Sequence, residues 1–292
     1  MTEMTSALYM PDQIPERHII RYRILNHQMG DPVREVEVYA SPEEIQQLVE
    51  KGYLVRKGLI KGQALERLRN ALDEVTAIEM ERRGPGEAIK GSRQFGGIFL
   101  RHLADKHPAF LELVRFQPTL SVARAVLGPL VQIRGMGSRI VLPGETNRET
   151  EWHQHQQVAS DPLAPWFVRP HGLDCLIYLD EIDENNGPIC VLPGSHQDIL
   201  KADLPPEVYD DLPGQVELHL PAGSIVMMHC MLWHRAKPPK MEAKRRLILL
   251  NYTPTWMKQA PYGVKPVDGL TQQLLQDGNE EARELLGLGG YT

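Results

Sequence analysis

The chain has 292 residues, of which 42% are hydrophobic and 24% charged, with a formal net charge of -6. That length supports a packed core in one large domain, and no basic tract stands out, so nucleic acid is not an expected partner. No run approaches the roughly 18 apolar residues of a membrane span, and Met1–Pro15 lacks the apolar centre of a secretory signal. Cys175, Cys190 and Cys230 sit in separate apolar runs without Cys-x-x-Cys spacing, which reads as buried free thiols in a cytoplasmic protein rather than a thiolate zinc site.

Residues 1–40 read as an N-terminal arm with short strands at Ile19–Leu25 and Arg34–Tyr39, an arm that could wrap the body or join two copies in a homodimer. Residues 41–292 read as one domain. Ser41-Pro42-Glu43-Glu44 opens a helix that Gly52 stops: serine caps, proline fits the first turn, and acids face the positive end of the helix dipole. Tyr53–Ile60 reads as a strand. Leu65, Leu68, Leu72, Val75 and Ile78 recur at helical spacing and predict an amphipathic helix over Gln63–Arg82. Residues 84–97, with five glycines, read as a loop, and Pro108–Phe116 and Thr119–Leu127 as two short helices.

Beyond residue 130 short aliphatic runs alternate with Gly, Pro and Asn clusters. Val131–Leu142, Leu173–Leu179, Pro188–Leu192, Gln215–Leu220, Ser224–His229 and Leu247–Thr253 read as strands of a β-sandwich or barrel. Met227–Trp233 reads as one more barrel strand ending at His234, and residues 269–287 read as helical. The fold expected is mainly β with flanking helices.

Trp152-His153-Gln154-His155 carries the most chemical information. Residues two apart on a strand share a face, so His153 and His155 can aim two imidazoles at one point, where a transition metal would bind. A lone His-x-His is more often ordinary polar packing, so a third ligand is needed. His234 and His229 compete for that place, and position by itself does not choose. Arg245, eleven residues after His234 across the Lys237-Pro238-Pro239-Lys240 loop, would return beside His234 in a hairpin. Its planar fork suits a carboxylate, although a surface arginine beside Lys244 and Arg246 is the plainer reading.

These residues resemble the phytanoyl-CoA dioxygenase family. The resemblance rests on Trp152-His153-Gln154, Leu179–Asp183, Asn186-Gly187-Pro188, the Val191–His196 run VLPGSH, Gly223–Val226, and His234 followed by Arg245, in family order across roughly residues 40–255. It implies a double-stranded β-helix, a cupin-like jelly roll, and an enzyme: an Fe(II)- and 2-oxoglutarate-dependent dioxygenase that uses O2 to oxidise a small organic molecule. It implies His153 and His234 as iron ligands and Arg245 as the group that binds the far carboxylate of 2-oxoglutarate.

Two positions depart from the family. His155 stands where the family has Asp, and Ala236 stands where many members have a small hydroxyl residue. Three neutral imidazoles leave the full charge of the metal uncompensated, so copper, nickel and zinc compete harder with Fe(II). Three readings of His155 follow: a ligand in place of Asp, a ring turned away so that water or an anion takes the position, or a chain that has lost catalysis and only binds a metabolite. A three-histidine enzyme without 2-oxoglutarate, either an iron dioxygenase or a zinc hydrolase, is the rival function. Gln154 and Arg139 are further candidates for the cosubstrate. Arg93, Gln94 and Phe95 in the glycine-rich loop, with Trp166 and Phe167, are candidates for the substrate.

Overall fold

The computed structural model of the chain describes residues 8–23, 33–83, 97–143, 150–155, 171–197, 209–240, 242–258, 269–276 and 278–288. Three antiparallel sheets are present among them. β1 (His18–Arg23) and β2 (Val33–Val38) form a two-stranded ribbon. The main sheet has the order β3-β10-β7-β12-β5-β4, formed by Tyr53–Arg56, Ser224–His229, Leu173–Tyr178, Arg245–Pro254, Val131–Val141 and Ile98–Arg101. The facing sheet has the order β6-β11-β8-β9, formed by Thr150–His153, His234–Ala236, Ile189–Val191 and Val216–Leu218. This is the jelly-roll arrangement of a double-stranded β-helix.

The main sheet is buried on both faces, which is why its central strands read as unbroken apolar runs. Leu173, Cys175 and Ile177 of β7 join Ile225, Met227, Ile248, Leu250 and Tyr252 in a core shared with the helices. Leu176 and Tyr178, on the alternate face, join Val226, Met228 and Leu247 against Ile189, Val191 and Leu218 of the facing sheet and Leu220 just beyond it. Asp174 lies on that same inner face and is almost wholly buried. The helices cover the outer face: α1 (Pro42–Lys51), α2 (Gly62–Arg83), α3 (Pro108–Val114), α4 (Gln117–Leu127), α5 (Thr271–Gln276) and α6 (Glu280–Leu285). The ribbon packs on α4, and its Val36 and Val38 enter the helix-side core. Among the described residues no helix is long and apolar enough to cross a membrane.

α1 forms as its sequence predicts. The Ser41 hydroxyl accepts from the Glu44 amide at 3.2 Å, and the Glu44 carboxylate accepts from the Ser41 amide at 3.0 Å. This reciprocal pair satisfies two helix-end donors. At the other end the PGSH turn closes the helix. Gly194 N donates to Lys51 O at 3.0 Å, Gln197 Nε2 to Glu50 O at 3.0 Å and His196 Nε2 to Val49 O at 2.8 Å. Three carbonyls without helical partners are thereby satisfied. Gly52 makes this docking possible: its φ is +83°, and a Cβ there would lie 2.5 Å from His196 Nδ1.

The structure changes three expected elements and adds one strand. β3 ends at Arg56, because the chain turns at Lys57-Gly58 and Gly58 N donates to the Ser224 hydroxyl at 2.9 Å. Ile98–Arg101 is an edge strand, and the expected glycine-rich loop lies outside the described residues except for Gly97. The C-terminal helical segment is two helices, α5 and α6. Met227–Trp233 is not one strand. β10 stops at His229 in the main sheet, and the chain crosses through Cys230–Trp233 to open β11 at His234 in the facing sheet.

Two outcomes follow. Gly52→Ala should destabilise the protein by about 2 kcal/mol or more, read as a lowered denaturation midpoint, because left-handed strain and the clash with His196 add. Burial, with the His196 charge beside it, pushes His229 down to about 3 from an ordinary value near 6.5. The unfolded chain therefore binds a proton that the folded chain refuses, so the stability that neutral His229 allows is full above about pH 6.5. It is lost as pH falls toward the folded value, by at most about 1.4 kcal/mol per unit. His229→Asn keeps an acceptor for the Met231 amide and should make the decline of stability between pH 6.5 and 4.5 shallower than in the wild type.

Candidate metal centre

β6 and β11 place two histidines opposite each other. His153 and His234 are paired across the ladder, with ring centroids 4.2 Å apart. β6 ends at His153, so His155 is not on a strand as its spacing suggested. It sits in the bend that follows, and its amide donates to Cys230 O at 2.8 Å. That bond turns its ring back to the pair, with centroids 5.4 Å from His153 and 4.8 Å from His234. One potential ligand nitrogen from each of the three rings lies within 4.8 Å of the others.

The neighbours of each ring decide which nitrogen points inward. His153 Nδ1 donates to Glu151 O at 2.8 Å, and His234 Nδ1 donates to Leu232 O at 2.9 Å. A carbonyl can only accept, so both Nδ1 atoms carry the proton and both Nε2 atoms present a lone pair. His155 Nδ1 stands 2.7 Å from Asp174 Oδ2, off the line of a straight hydrogen bond. Burial pushes His153 down to about 4 and His234 well below the ordinary imidazole value, so both are neutral, as ligation requires. His229, the rival to His234, is elsewhere: its ring lies 4.8 Å from that of His196, and its Nδ1 accepts from the Met231 amide at 3.0 Å.

Arg139 and Arg245 lie on the inner face of the main sheet. Leu247 pairs with Arg139 on one side and Tyr178 on the other, and Arg245 pairs with Val141. Arg245 and His234 do not share a hairpin, because β11 and β12 belong to opposed sheets. The buried Arg245 guanidinium instead donates to the carbonyls of Asn186 (3.3 Å) and Gly187. Gly187, at φ +72°, leaves no room for a Cβ against Lys237 O and Arg245, which gives the Asn-Gly-Pro bend a physical role. Both arginine charges reach Tyr178, although burial still pushes its hydroxyl up to about 12, and the Arg139 charge helps keep His153 neutral. Arg139 donates to the Thr150 hydroxyl, and Thr150 pairs with Ala236. Gln154 Nε2 is buried without a partner among the described residues. Arg93, Gln94, Phe95, Trp166 and Phe167 lie outside the described residues.

The chain matches the phytanoyl-CoA dioxygenase (PhyH) family over residues 48–247. It belongs to that family. The match takes in all three histidines and Arg245. Ectoine dioxygenase from Bordetella bronchiseptica is 24% identical over 222 residues, which cover 66% of this chain and 69% of that protein. A probable alpha-ketoglutarate-dependent hypophosphite dioxygenase from Stutzerimonas stutzeri is 23% identical over 237 residues, covering 72% and 77%. The jelly-roll fold recurs in HygX from Streptomyces hygroscopicus, solved with nickel and 2-oxoglutarate bound, at a TM-score of 0.60 and 16% identity, covering 75% of this chain and 89% of that one. It recurs also in SnoK, a non-heme alpha ketoglutarate dependent carbocyclase from nogalamycin biosynthesis, at a TM-score of 0.57 and 20% identity, covering 78% and 88%.

Asp174 is the residue that the sequence reading missed. Its signal was an acid in the middle of the apolar strand LDCLIY, a weak strand former at a position that strand geometry makes interior.

Proposed function

We propose that this family member is a non-haem Fe(II)- and 2-oxoglutarate-dependent oxygenase of a small organic molecule, with its metal held by His153, His155 and His234. The observation that carries this reading is the convergence of three buried or half-buried rings, two of them with Nδ1 tied to a backbone carbonyl. Neutral imidazoles suit Fe(II), and equally suit nickel, copper and zinc. Fe(II) held there together with 2-oxoglutarate would activate O2, the oxidant, at the expense of oxidative decarboxylation of the cosubstrate.

The protein's own residues bind, orient and exclude water. Arg245 is held by the Asn186-Gly187 bend and offers its fork to the far carboxylate of 2-oxoglutarate. Arg139 adds a second positive charge on the same face, and Thr150 brings there the hydroxyl that Ala236 lacks. Gln154, next to His153 and with buried donor capacity, faces the reactants. The apolar lining of Leu176, Val191, Val226 and Leu247 keeps the interior dry, which strengthens each of these charge contacts. Cys175, Cys190 and Cys230 are free and buried, in keeping with a reducing cytoplasm.

Single replacements test this. His153→Ala and His234→Ala should each abolish stoichiometric Fe(II) binding, measured by elemental analysis after anaerobic loading and desalting. Arg245→Ala should weaken 2-oxoglutarate binding by about a hundredfold, and Arg245→Lys by less, since lysine keeps the charge and loses the fork. Calorimetry on the metal-loaded protein reads both, and unchanged affinity in Arg245→Ala would refute the cosubstrate role. Zinc in the untreated protein with no oxygen uptake would favour the hydrolytic reading.

A further inference from the structure

We propose that Asp174 is a positioning residue for the metal: it carries, behind His155, the negative charge that the family's aspartate would supply as a ligand. The proposal rests on the reading of His153, His155 and His234 as ligands.

The placement of Asp174 is hard to explain otherwise. It lies on the inner face of β7, only 1% exposed, between cross-strand neighbours Met228 and Asn251, neither of which can neutralise it. Burying a carboxylate is costly unless it is paired. Arg134 Nη2 reaches Oδ1 at 3.2 Å, but the Arg134 side chain is 22% exposed and can be satisfied by water. Pairing with such an arginine does not require a carboxylate at this depth. The other oxygen, Oδ2, has no straight hydrogen bond among the described residues, and the group beside it is His155 Nδ1 at 2.7 Å.

A carboxylate there does three things. It requires the proton on Nδ1 and so presents the Nε2 lone pair, completing what the Glu151 and Leu232 carbonyls do for the other two rings. It makes the imidazole a stronger electron donor. It also offsets part of the dipositive charge that three neutral ligands leave in a dry interior. His155 and Asp174 together then stand in for one aspartate: the nitrogen binds, and the charge sits one group further back.

Co(II) serves as the probe, since its ligand-field bands report the donor set. Metal-free wild type, Asp174→Asn, Asp174→Ala, His155→Asp and the double variant His155→Asp with Asp174→Asn are titrated with Co(II) by absorbance and calorimetry. Asp174→Asn keeps size and an acceptor while removing charge. It should weaken Co(II) binding about 10- to 100-fold with a shifted ligand-field spectrum and little change in the melting of the metal-free protein. In the His155→Asp background two carboxylates crowd each other, so the same replacement should tighten binding or leave it unchanged. That loss or reversal of the effect is not expected of a residue that only props up the fold. Wild type that binds one Co(II) while Asp174→Asn binds it within twofold overturns the proposal and leaves the three-histidine site standing. An equal loss in both backgrounds also overturns it. Wild type that binds no Co(II) overturns the ligand reading itself, and the role of Asp174 falls with it.

Discussion

The site depends on one short crossover. Between His229 and His234 the chain leaves the main sheet and enters the facing one, and four residues must span the gap. Within that span the Cys230 carbonyl accepts from the His155 amide, and the Leu232 carbonyl accepts from the His234 ring. Leu192 N donates to Trp233 O at 2.9 Å, and Trp233 N donates to the Ser195 hydroxyl at 3.0 Å. The crossover therefore positions two of the three histidines and is itself held by the PGSH turn. That turn is in turn seated on the last carbonyls of α1. A motif that looks like a loop signature is the clamp between a helix end and the strand that carries His234.

The interior that this clamp closes is apolar, and its polar groups sit at two places. At the β6–β11 ladder stand the neutral imidazoles, kept from taking up a second proton by burial and by one another. On the inner face of the main sheet stand Arg245, at the Asn-Gly-Pro bend, and Arg139, at Thr150; both charges act on Tyr178, and that of Arg139 helps keep His153 neutral. Asp174 is the one buried acid of the described residues facing this interior. Burial alone would raise its carboxyl, but the positive charge on His155 when it is protonated and the Arg134 guanidinium outweigh that and hold it below the usual carboxylate range. An apolar interior with imidazoles at one place and guanidinium groups at another fits the proposed catalysis by positioning and water exclusion.

The departures from the family pattern have local counterparts in space. The missing ligand carboxylate at position 155 coincides with a carboxylate at position 174, on a neighbouring strand surface. The missing hydroxyl at position 236 coincides with Thr150, its partner across the ladder. Both counterparts are far from the altered residue in sequence, and both become visible only in the tertiary structure.

The sequence by itself determined the outline. The Ser41 cap, the heptad-like run Leu65–Ile78 and the punctuated apolar runs after residue 130 specify helices and strands through local chemistry that needs no tertiary partner. His153, His234 and Arg245 could be singled out because motif order survives in the linear chain. Tertiary structure decided what linear spacing cannot encode. It broke the apolar run Met227–Trp233 at His229, because burial on both faces of β10 hides the point at which the chain changes sheets. It turned His155 inward through a backbone bond to Cys230 rather than by strand alternation. It put Arg245 on the sheet opposite His234, and it brought Asp174 within 2.7 Å of His155 across nineteen positions of sequence. Local propensity is a property of neighbours along the chain, whereas the charge and geometry of a metal centre belong to residues that meet only when two sheets close on each other.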